Sequence, residues 1–279
     1  MVGLNREKSV VKAVTFDLWE TLLLEEDGSD LQRTAIRCRR LTQVLGRLGL
    51  SISVEEVEAA LKETISSLIK IWDKNKDVPH LDMIRIFFKC ASRGRLSLED
   101  EWLDELSKAY VSPLFEVPPY FNPDACEALD WLMSQKKQVG IICNTGLTPG
   151  TELRRFLSHA GVAKYFHVMV FSNEVGIRKP DRRIFSLTAQ ALKAKPREII
   201  HVGDNLKTDV WGARNAGFKA IHLSSTAGRD KIAESDPESL VSLSRNLGSL
   251  ALEHIKLADK TISSLSMIKE TVKELEADI

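Results

Sequence analysis

The sequence predicts an α/β protein in which a doubly wound parallel sheet carries an inserted small helical domain. Short apolar runs of strand length alternate with helix-like periodicity, which is the pattern of a parallel sheet covered on both faces. A long and almost wholly helical segment separates the first apolar run from the second. Polar residues follow directly after several runs, where open parallel sheets place their ligands.

Five apolar runs have the length and composition of buried strands. Each contains Val, Ile, Leu or Phe and is followed by turn residues or by a helical pattern. The runs cover residues 13–16, 139–142, 168–171, 199–202 and 220–223. Their alternation with helical segments predicts that all of them lie in one parallel sheet.

The segment between the first two runs reads as four helices, at residues 30–48, 54–74, 80–91 and 98–110. Ser53 and Glu56 have the spacing of a capping box at the start of the second helix. After Pro118 and Pro119, Asn122 can cap a further helix whose first position is Pro123. We therefore predict a sheet domain formed by residues 1–24 and 118–279, and a helical insertion at residues 25–117.

The end of the sequence shows a polar stretch after residue 223, followed by helical periodicity at residues 239–255 and 261–275. The second of these segments is predicted to be a packed terminal helix, with a dimer contact as the alternative. No feature of the sequence selects an oligomeric state.

Composition excludes several classes of function. The 39 basic and 39 acidic residues of the 279-residue chain cancel and are interspersed, so binding to nucleic acid or to an anionic membrane is not expected. The four cysteines are far apart and form no CxxC pair, which argues against a zinc site or a disulfide framework. No apolar run approaches the length of about 20 residues that spans a membrane. We predict a cytoplasmic protein without a signal peptide.

Acidic residues at two strand ends predict a metal site. Asp17 follows the first strand, and Asp204 and Asp209 follow the fourth. Clustered carboxylates raise one another's pKa unless a cation lies among them. Mg²⁺ takes oxygen ligands and usually combines one or two carboxylates with water and substrate phosphate. We predict Mg²⁺ bound by Asp17 and Asp204, with Asp209 supporting them from behind.

A lysine near the same sheet edge completes a site for phosphate chemistry. Lys179 lies in the turn that follows the third strand. With Mg²⁺ and Lys179 neutralising a substrate phosphate, the Asp17 carboxylate can approach phosphorus and form an aspartyl-phosphate, which water then hydrolyses. We therefore expect a small phosphorylated molecule as the substrate.

Four motifs resemble those of the haloacid dehalogenase-like hydrolase superfamily, in the order FDLWET, IICNTG, RKPD and GDNLKTD. The resemblance spans roughly residues 11–223. It implies that Asp17 is the nucleophile and a metal ligand, Lys179 the charge-neutralising lysine, Asp204 a second ligand and Asp209 its support. It also implies that the insertion is a helical cap of the C1 type, which closes over the site and selects the substrate.

Trp19 departs from the family pattern, because most phosphatases of the family carry a second Asp two residues after the nucleophile. An indole N–H does not titrate near neutrality, so Trp19 cannot act as the general acid. Family members use the backbone carbonyl at this position as a metal ligand, and Trp19 retains that group.

Cys143 is a second departure, since it stands where the family usually has a Ser or Thr that contacts the transferring group. A thiol is a weaker hydrogen-bond donor. Asn144 or Thr145 are the alternatives for this substrate contact, and a buried cysteine with only a packing role is as well supported.

Several basic residues of the insertion could meet a substrate anion, although a solvated helix face explains most of them. They are Arg33, Arg37, Arg40, Lys74, Lys76 and His80.

Three functions compete. The leading hypothesis is a phosphatase for a small phosphorylated metabolite. A haloacid dehalogenase is the second, since those relatives also place an aromatic residue at the position of Trp19, but Asp204 and Asp209 are better explained by Mg²⁺. The third is a weakened scaffold that binds a phosphorylated ligand or a protein partner. Retention of Asp17, Lys179 and Asp204 argues against this last reading.

Overall fold

The computed structural model describes residues 10–224 and 258–277. Its main sheet has six strands, which are β1 (Ala13–Phe16), β4 (Gln138–Cys143), β5 (Val168–Phe171), β6 (Ile199–Gly203), β7 (Lys219–Leu223) and β8 (Lys260–Ile262). Their order in the sheet is β5-β4-β1-β6-β7-β8, and all neighbouring pairs are parallel. The predicted fold class is confirmed, and the five predicted strands are present within one residue at each end.

The sixth strand corrects the prediction for the C-terminal segment. Residues 261–275 were expected to form one helix, but β8 occupies the start of that segment and pairs with β7. The helix α11 begins only at Ile268 (Ile268–Ala277), after a 3₁₀ turn at Leu265–Met267 that Ser264 caps. Lys-Thr-Ile fits an edge strand because β-branched side chains favour extended backbone. The predicted helix at residues 239–255 lies outside the described residues.

Helices cover both faces of the sheet. Alternate residues of β1 point to opposite faces, so Val14 and Phe16 enter one core and Ala13 enters the other. The first face packs against α6 (Pro123–Ser134), α7 (Gly150–His159) and α11, and the second against α9 (Arg182–Ala191) and α10 (Gly212–Asn215). The strands are therefore buried on both sides, as their continuous apolar runs predict.

The inserted segment has a hydrophobic core of its own. Its elements are α1 (Ser29–Arg47), α2 (Val54–Trp72), α3 (His80–Ser92), α4 (Asp100–Val111) and the short α5 (Pro113–Glu116). Each of the four predicted helices is present, with ends that differ by at most two residues from those expected. Phe87 and Tyr110 are fully buried in this core, and burial of such a side chain contributes about 1.5–3 kcal/mol.

Local signals set the helix starts and the return of the chain to the sheet. The Ser53 hydroxyl accepts a hydrogen bond from the Glu56 backbone N–H, and the Glu56 carboxylate accepts one from the Ser53 backbone N–H. The predicted capping box therefore forms. Asn122 caps α6 with Pro123 at its first position. A two-stranded antiparallel ribbon of β2 (Leu23–Leu24) and β3 (Tyr120–Phe121) joins the two ends of the insertion. Within the described residues, no helix is long and apolar enough to cross a membrane.

Candidate active site

The carboxyl ends of three neighbouring strands bring the predicted site residues to one cavity. β1 lies between β4 and β6, so Asp17, Asn144 and Asp204 follow three adjacent strands. All three residues line a cavity of about 240 Å³, together with Lys179 and with side chains of the insertion. The cavity therefore lies between the sheet edge and the inserted helices, as expected for open parallel sheets.

Lys179 joins two of the carboxylates. Its Nζ donates to Asp17 Oδ1 at 2.6 Å and to Asp209 Oδ1 at 2.6 Å, and its side chain is 1% exposed. Burial disfavours the ammonium, but the two carboxylates outweigh that penalty and raise the pKa of Lys179 above its usual range. The lysine is thus held charged beside the predicted nucleophile.

Asp209 is held in place by the turn that follows β6. Its Oδ2 accepts from the Asn205 backbone N–H at 3.0 Å, and its Oδ1 lies 3.4 Å from His201 Nε2. Although burial raises its pKa, Lys179 and His201 lower the pKa of Asp209 below the ordinary range. Both oxygens are already engaged, so Asp209 is suited to support the site from behind.

Asp17 and Asp204 both have pKa values above the ordinary value of an aspartate. Burial raises the pKa of Asp17 to about 6, with Lys179 opposing the shift and Asp209 adding to it. Burial and the repulsion of Asp209 and Asp17 raise the pKa of Asp204 well above its ordinary value. A cation between the two carboxylates would remove this penalty.

The three acidic side chains lie close together. One oxygen from each of Asp17, Asp204 and Asp209 lies within 4.8 Å of the others. An all-oxygen donor set of this kind suits Mg²⁺, which prefers carboxylate and water ligands. Trp19 lines the same cavity and is partly buried against the sheet core, and the metal-binding role of its backbone carbonyl stays a prediction.

The three predicted substrate contacts at the end of β4 differ in their surroundings. The Asn144 side chain faces the cavity and forms two hydrogen bonds with the backbone of Lys179, at 2.9 Å and 2.7 Å, which fix the lysine loop against β4. Cys143 is fully buried and does not line the cavity, and burial raises the pKa of its thiol well above the usual value. The Thr145 hydroxyl is turned away to Asp77 and Ser172. Of the three predicted substrate contacts, only Asn144 is in the cavity.

The basic residues of the insertion separate into two groups. Arg33 and Arg37 are 6% and 3% exposed and line the cavity, so the expectation of a solvated helix face is wrong for them. The remaining four do not line it. Arg40 pairs with Glu116 at 2.9 Å at the surface, Lys74 and Lys76 are exposed, and His80 bonds to Ser107 at 3.0 Å.

A buried ion pair that the sequence analysis missed connects the insertion to the sheet domain. Arg178 donates to Asp77 Oδ2 at 2.7 Å, and the two side chains are 8% and 4% exposed. The Arg178 guanidinium also lies 4.4 Å from the centre of the Trp72 ring, and Trp72 Nε1 donates to Asp77 Oδ1 at 3.0 Å. Arg178 stands beside Lys179 in the RKPD motif, which is the one signal that could have indicated its role.

Comparison with known proteins identifies the family. A model of the haloacid dehalogenase-like hydrolases matches residues 11–217. Glyceraldehyde 3-phosphate phosphatase of Methanopyrus kandleri is 28% identical over 77% of this chain and 84% of that protein. The enzyme of the same name from Pyrococcus furiosus is 26% identical over 94% of this chain and 93% of its own.

Solved structures share the fold. A HAD phosphatase from Thermococcus onnurineus superposes with a TM-score of 0.58 at 24% identity, covering 94% of this chain and 97% of that one. A 2-haloacid dehalogenase from Pseudomonas syringae has a TM-score of 0.61 at 20% identity, covering 95% and 99%.

The chain therefore belongs to the haloacid dehalogenase-like hydrolase family, as its four motifs indicated. With phosphatases among its relatives in sequence, it is a hydrolase of the phosphatase type.

Proposed function

We propose that this chain is a Mg²⁺-dependent phosphatase that hydrolyses a small phosphorylated metabolite through an aspartyl-phosphate on Asp17. The observation that carries the proposal is the position of Asp17 in the cavity, 2.6 Å from the buried ammonium of Lys179 and grouped with Asp204 and Asp209. A nucleophilic carboxylate needs compensating positive charge to approach a phosphate, and this arrangement supplies it.

The reaction has two displacement steps. A carboxylate oxygen of Asp17 attacks phosphorus, the bond to the ester oxygen breaks, and that oxygen takes a proton from solvent water. Water then attacks the same phosphorus, the bond to Asp17 breaks, and inorganic phosphate is released. Lys179 orients the carboxylate in both steps, and Asn144 holds the backbone of Lys179 at the required position.

The residues present fit a magnesium ion. Asp17, Asp204 and the backbone carbonyl of Trp19 would hold it, and Asp209 would support them through Lys179 and the Asn205 backbone. When bound, Mg²⁺ supplies positive charge that draws the phosphate towards Asp17 and stabilises the charge of the transition state.

The insertion is proposed to act as a cap over this site, with residues 25–117 as its extent. Arg33, Arg37 and Trp72 line the side of the cavity that faces the catalytic residues. The small cavity volume of about 240 Å³ suits a metabolite of a few carbon atoms. Glyceraldehyde 3-phosphate, the substrate in the names of the Methanopyrus and Pyrococcus relatives, belongs to this size class.

A screen of phosphate esters alongside 2-haloacids, each with Mg²⁺ and with chelator, tests the proposal. We expect phosphate release that chelator abolishes and Mg²⁺ restores, and no release from the Asp17→Asn protein with its fold intact. Chelator-resistant release of halide from a 2-haloacid would instead identify a dehalogenase. Binding of phosphate esters without turnover of any compound would identify a scaffold.

A further inference from the structure

The insertion contributes one buried cation that has no acidic partner among residues 10–224 and 258–277. Arg37 is 3% exposed and lines the same cavity as Asp17 and Lys179. Its Nε donates to the Tyr110 carbonyl at 2.8 Å, and its guanidinium lies 5.0 Å from the centre of the Tyr110 ring. These contacts hold the side chain in place but do not neutralise its charge.

The other buried cations that line the cavity are all neutralised. Arg33 pairs with Glu25, Arg178 with Asp77, and Lys179 with Asp17 and Asp209. A guanidinium stays protonated even where burial opposes its charge. Among the residues that the structure describes, Arg37 therefore carries a positive charge without an acidic partner, and a buried charge without a counter-ion is costly.

The two ring side chains next to Arg37 carry no negative charge. Burial and the nearby Arg37 lower the pKa of His80 to about 4, so its ring is neutral at physiological pH. Burial raises the pKa of Tyr110 to about 12, and its phenol donates to Met83 Sδ at 3.8 Å. No acidic group of the described part of the chain pairs with Arg37, and an anion that enters the cavity would supply the counter-charge.

We propose that Arg37 binds a second anionic group of the substrate, so that the enzyme selects small phosphate esters that also carry a carboxylate or another phosphate. This inference rests on the proposed function, in which the sheet side of the cavity takes the phosphate that is cleaved. The terminal nitrogens of a guanidinium form a planar fork that matches a carboxylate or a phosphate. Nε of Arg37 is already used by Tyr110, so the bound anion faces the two terminal nitrogens.

Three probe substrates test the selection in the full-length enzyme with Mg²⁺. They are 3-phosphoglycerate, 1,3-propanediol bisphosphate and glycerol 3-phosphate, of which only the last lacks a second anion. We expect kcat/KM for at least one of the first two to exceed that for glycerol 3-phosphate by at least about tenfold, the effect of one charge-assisted hydrogen bond. The probe that is preferred tells whether the second anion is a carboxylate or a phosphate.

Arg37→Met should reduce this ratio to about one, and Arg37→Lys should reduce it partially, because lysine keeps the charge but not the fork. The matched control is Arg40→Gln on the same helix, which lies outside the cavity and should keep the ratio. A ratio of rates within one protein is insensitive to a general loss of folded enzyme. If Arg37→Met does not fold, the wild-type ratio and Arg37→Lys decide the question.

A binding measurement separates this inference from the proposed function. Calorimetry on the Asp17→Asn protein compares the affinities for the same three probes without turnover. Preferred binding of a doubly anionic probe to Asp17→Asn, combined with a wild-type protein that hydrolyses no phosphate ester, would overturn the proposed function and support Arg37 as the anion site. Hydrolysis of phosphate esters without preference for a second anion, or a preference that survives in Arg37→Met, would overturn the role of Arg37 alone.

Discussion

Individual side chains at the sheet edge balance their charges against one another. Lys179 pairs with Asp17 and Asp209, but it offsets the effect of burial on Asp17 only in part, so the pKa values of Asp17 and Asp204 stay raised. A bound cation would stabilise the ionised forms of these two carboxylates and lower their pKa values. The motif residues alone predicted that Asp17, Lys179, Asp204 and Asp209 meet, because strand ends converge in a parallel sheet.

Metal binding should depend on pH through Asp17. The folded protein without metal has a pKa of about 6 at Asp17 against an ordinary value of 3.8, so ionising this group costs stability as the pH rises through that window. Mg²⁺ needs the ionised carboxylate. We expect the increase in Tm caused by Mg²⁺ to be small at about pH 5 and larger at about pH 7.5.

Differential scanning calorimetry of the wild type and of Asp17→Asn measures this dependence. The variant lacks the titrating carboxyl group, so its Mg²⁺-induced increase in Tm should be smaller and should vary less between the two pH values. An equal increase in the Tm of the wild type at both pH values would show that ionisation of Asp17 does not control metal binding.

The position of Trp19 predicts a steep dependence on the leaving group. A positioned general acid contributes about 10²–10⁴-fold, and indole cannot donate this proton. Aryl and acyl phosphates should therefore be cleaved far faster than alkyl phosphates, and Trp19→Asp should accelerate alkyl esters selectively. Comparable chemistry-limited rates for aryl and alkyl esters in the wild type would mean that another residue donates. Glu20 lines the cavity and would be the first candidate, whereas His80 does not line it.

Gly203 matters because the Asp209 carboxylate packs against its backbone. A Cβ at this position would lie 2.5 Å from the carboxyl carbon of Asp209, closer than atoms can approach. Gly203→Ala should displace Asp209 from Lys179 and lower kcat/KM by about tenfold or more, since one lost electrostatic contact costs that much. Gly46→Ala in α1 meets no atom within 4 Å and should leave kcat/KM unchanged while stabilising the protein by about 0.5–1 kcal/mol. Equal activities of the two variants would remove Asp209 from the mechanism.

At the scale of elements, the insertion is tied to the sheet domain by more than its two chain connections. The loop after α2 carries Asp77, whose backbone N–H donates to Gly176 at 3.1 Å while its side chain pairs with Arg178. The Arg178 backbone N–H in turn donates to Asn75 at 3.0 Å. These contacts fix the end of α2 beside Lys179.

Removing one partner of this buried pair should be costly. Asp77→Asn leaves the Arg178 charge without a counter-ion, and breaking such a pair typically costs about 3–5 kcal/mol. Urea unfolding measures the loss, which the double variant Asp77→Asn with Arg178→Met should partly reverse. The control is Asp82→Asn, whose exposed pair with Arg85 should contribute less than about 1 kcal/mol. Similar losses for Asp77→Asn and Asp82→Asn would show that the pair does not join the two parts.

The sequence predicted the long helices correctly because their apolar residues repeat over many positions. It did not predict β8, whose formation depends on pairing with another strand. The four inserted helices have clear amphipathic periodicity and, in one case, a capping box. β8 is only three residues long, and its pairing with β7 brings together segments that are distant in sequence. A short polar strand of this kind cannot be distinguished from the start of a helix by composition.

At the scale of the whole molecule, the function depends on two cores that meet at one cavity. The sheet edge supplies the groups proposed for phosphate chemistry, and the inserted helices supply Arg33, Arg37 and Trp72. Sequence motifs revealed the first set because strand ends are recognisable. They did not reveal the buried state of Arg37, since that depends on how α1 packs against α4 and the sheet edge, which no local pattern encodes.

The proposed mechanism requires that Asp17 carries the phosphoryl group during turnover. Rapid acid quenching with a ³²P-labelled aryl phosphate, followed by peptide mapping, tests this requirement. We predict label on the peptide that contains Asp17 within the first turnover, released on further incubation of unquenched enzyme and absent from Asp17→Asn. Phosphate release at the same rate with no labelled protein, or with label on a different residue, would contradict the mechanism.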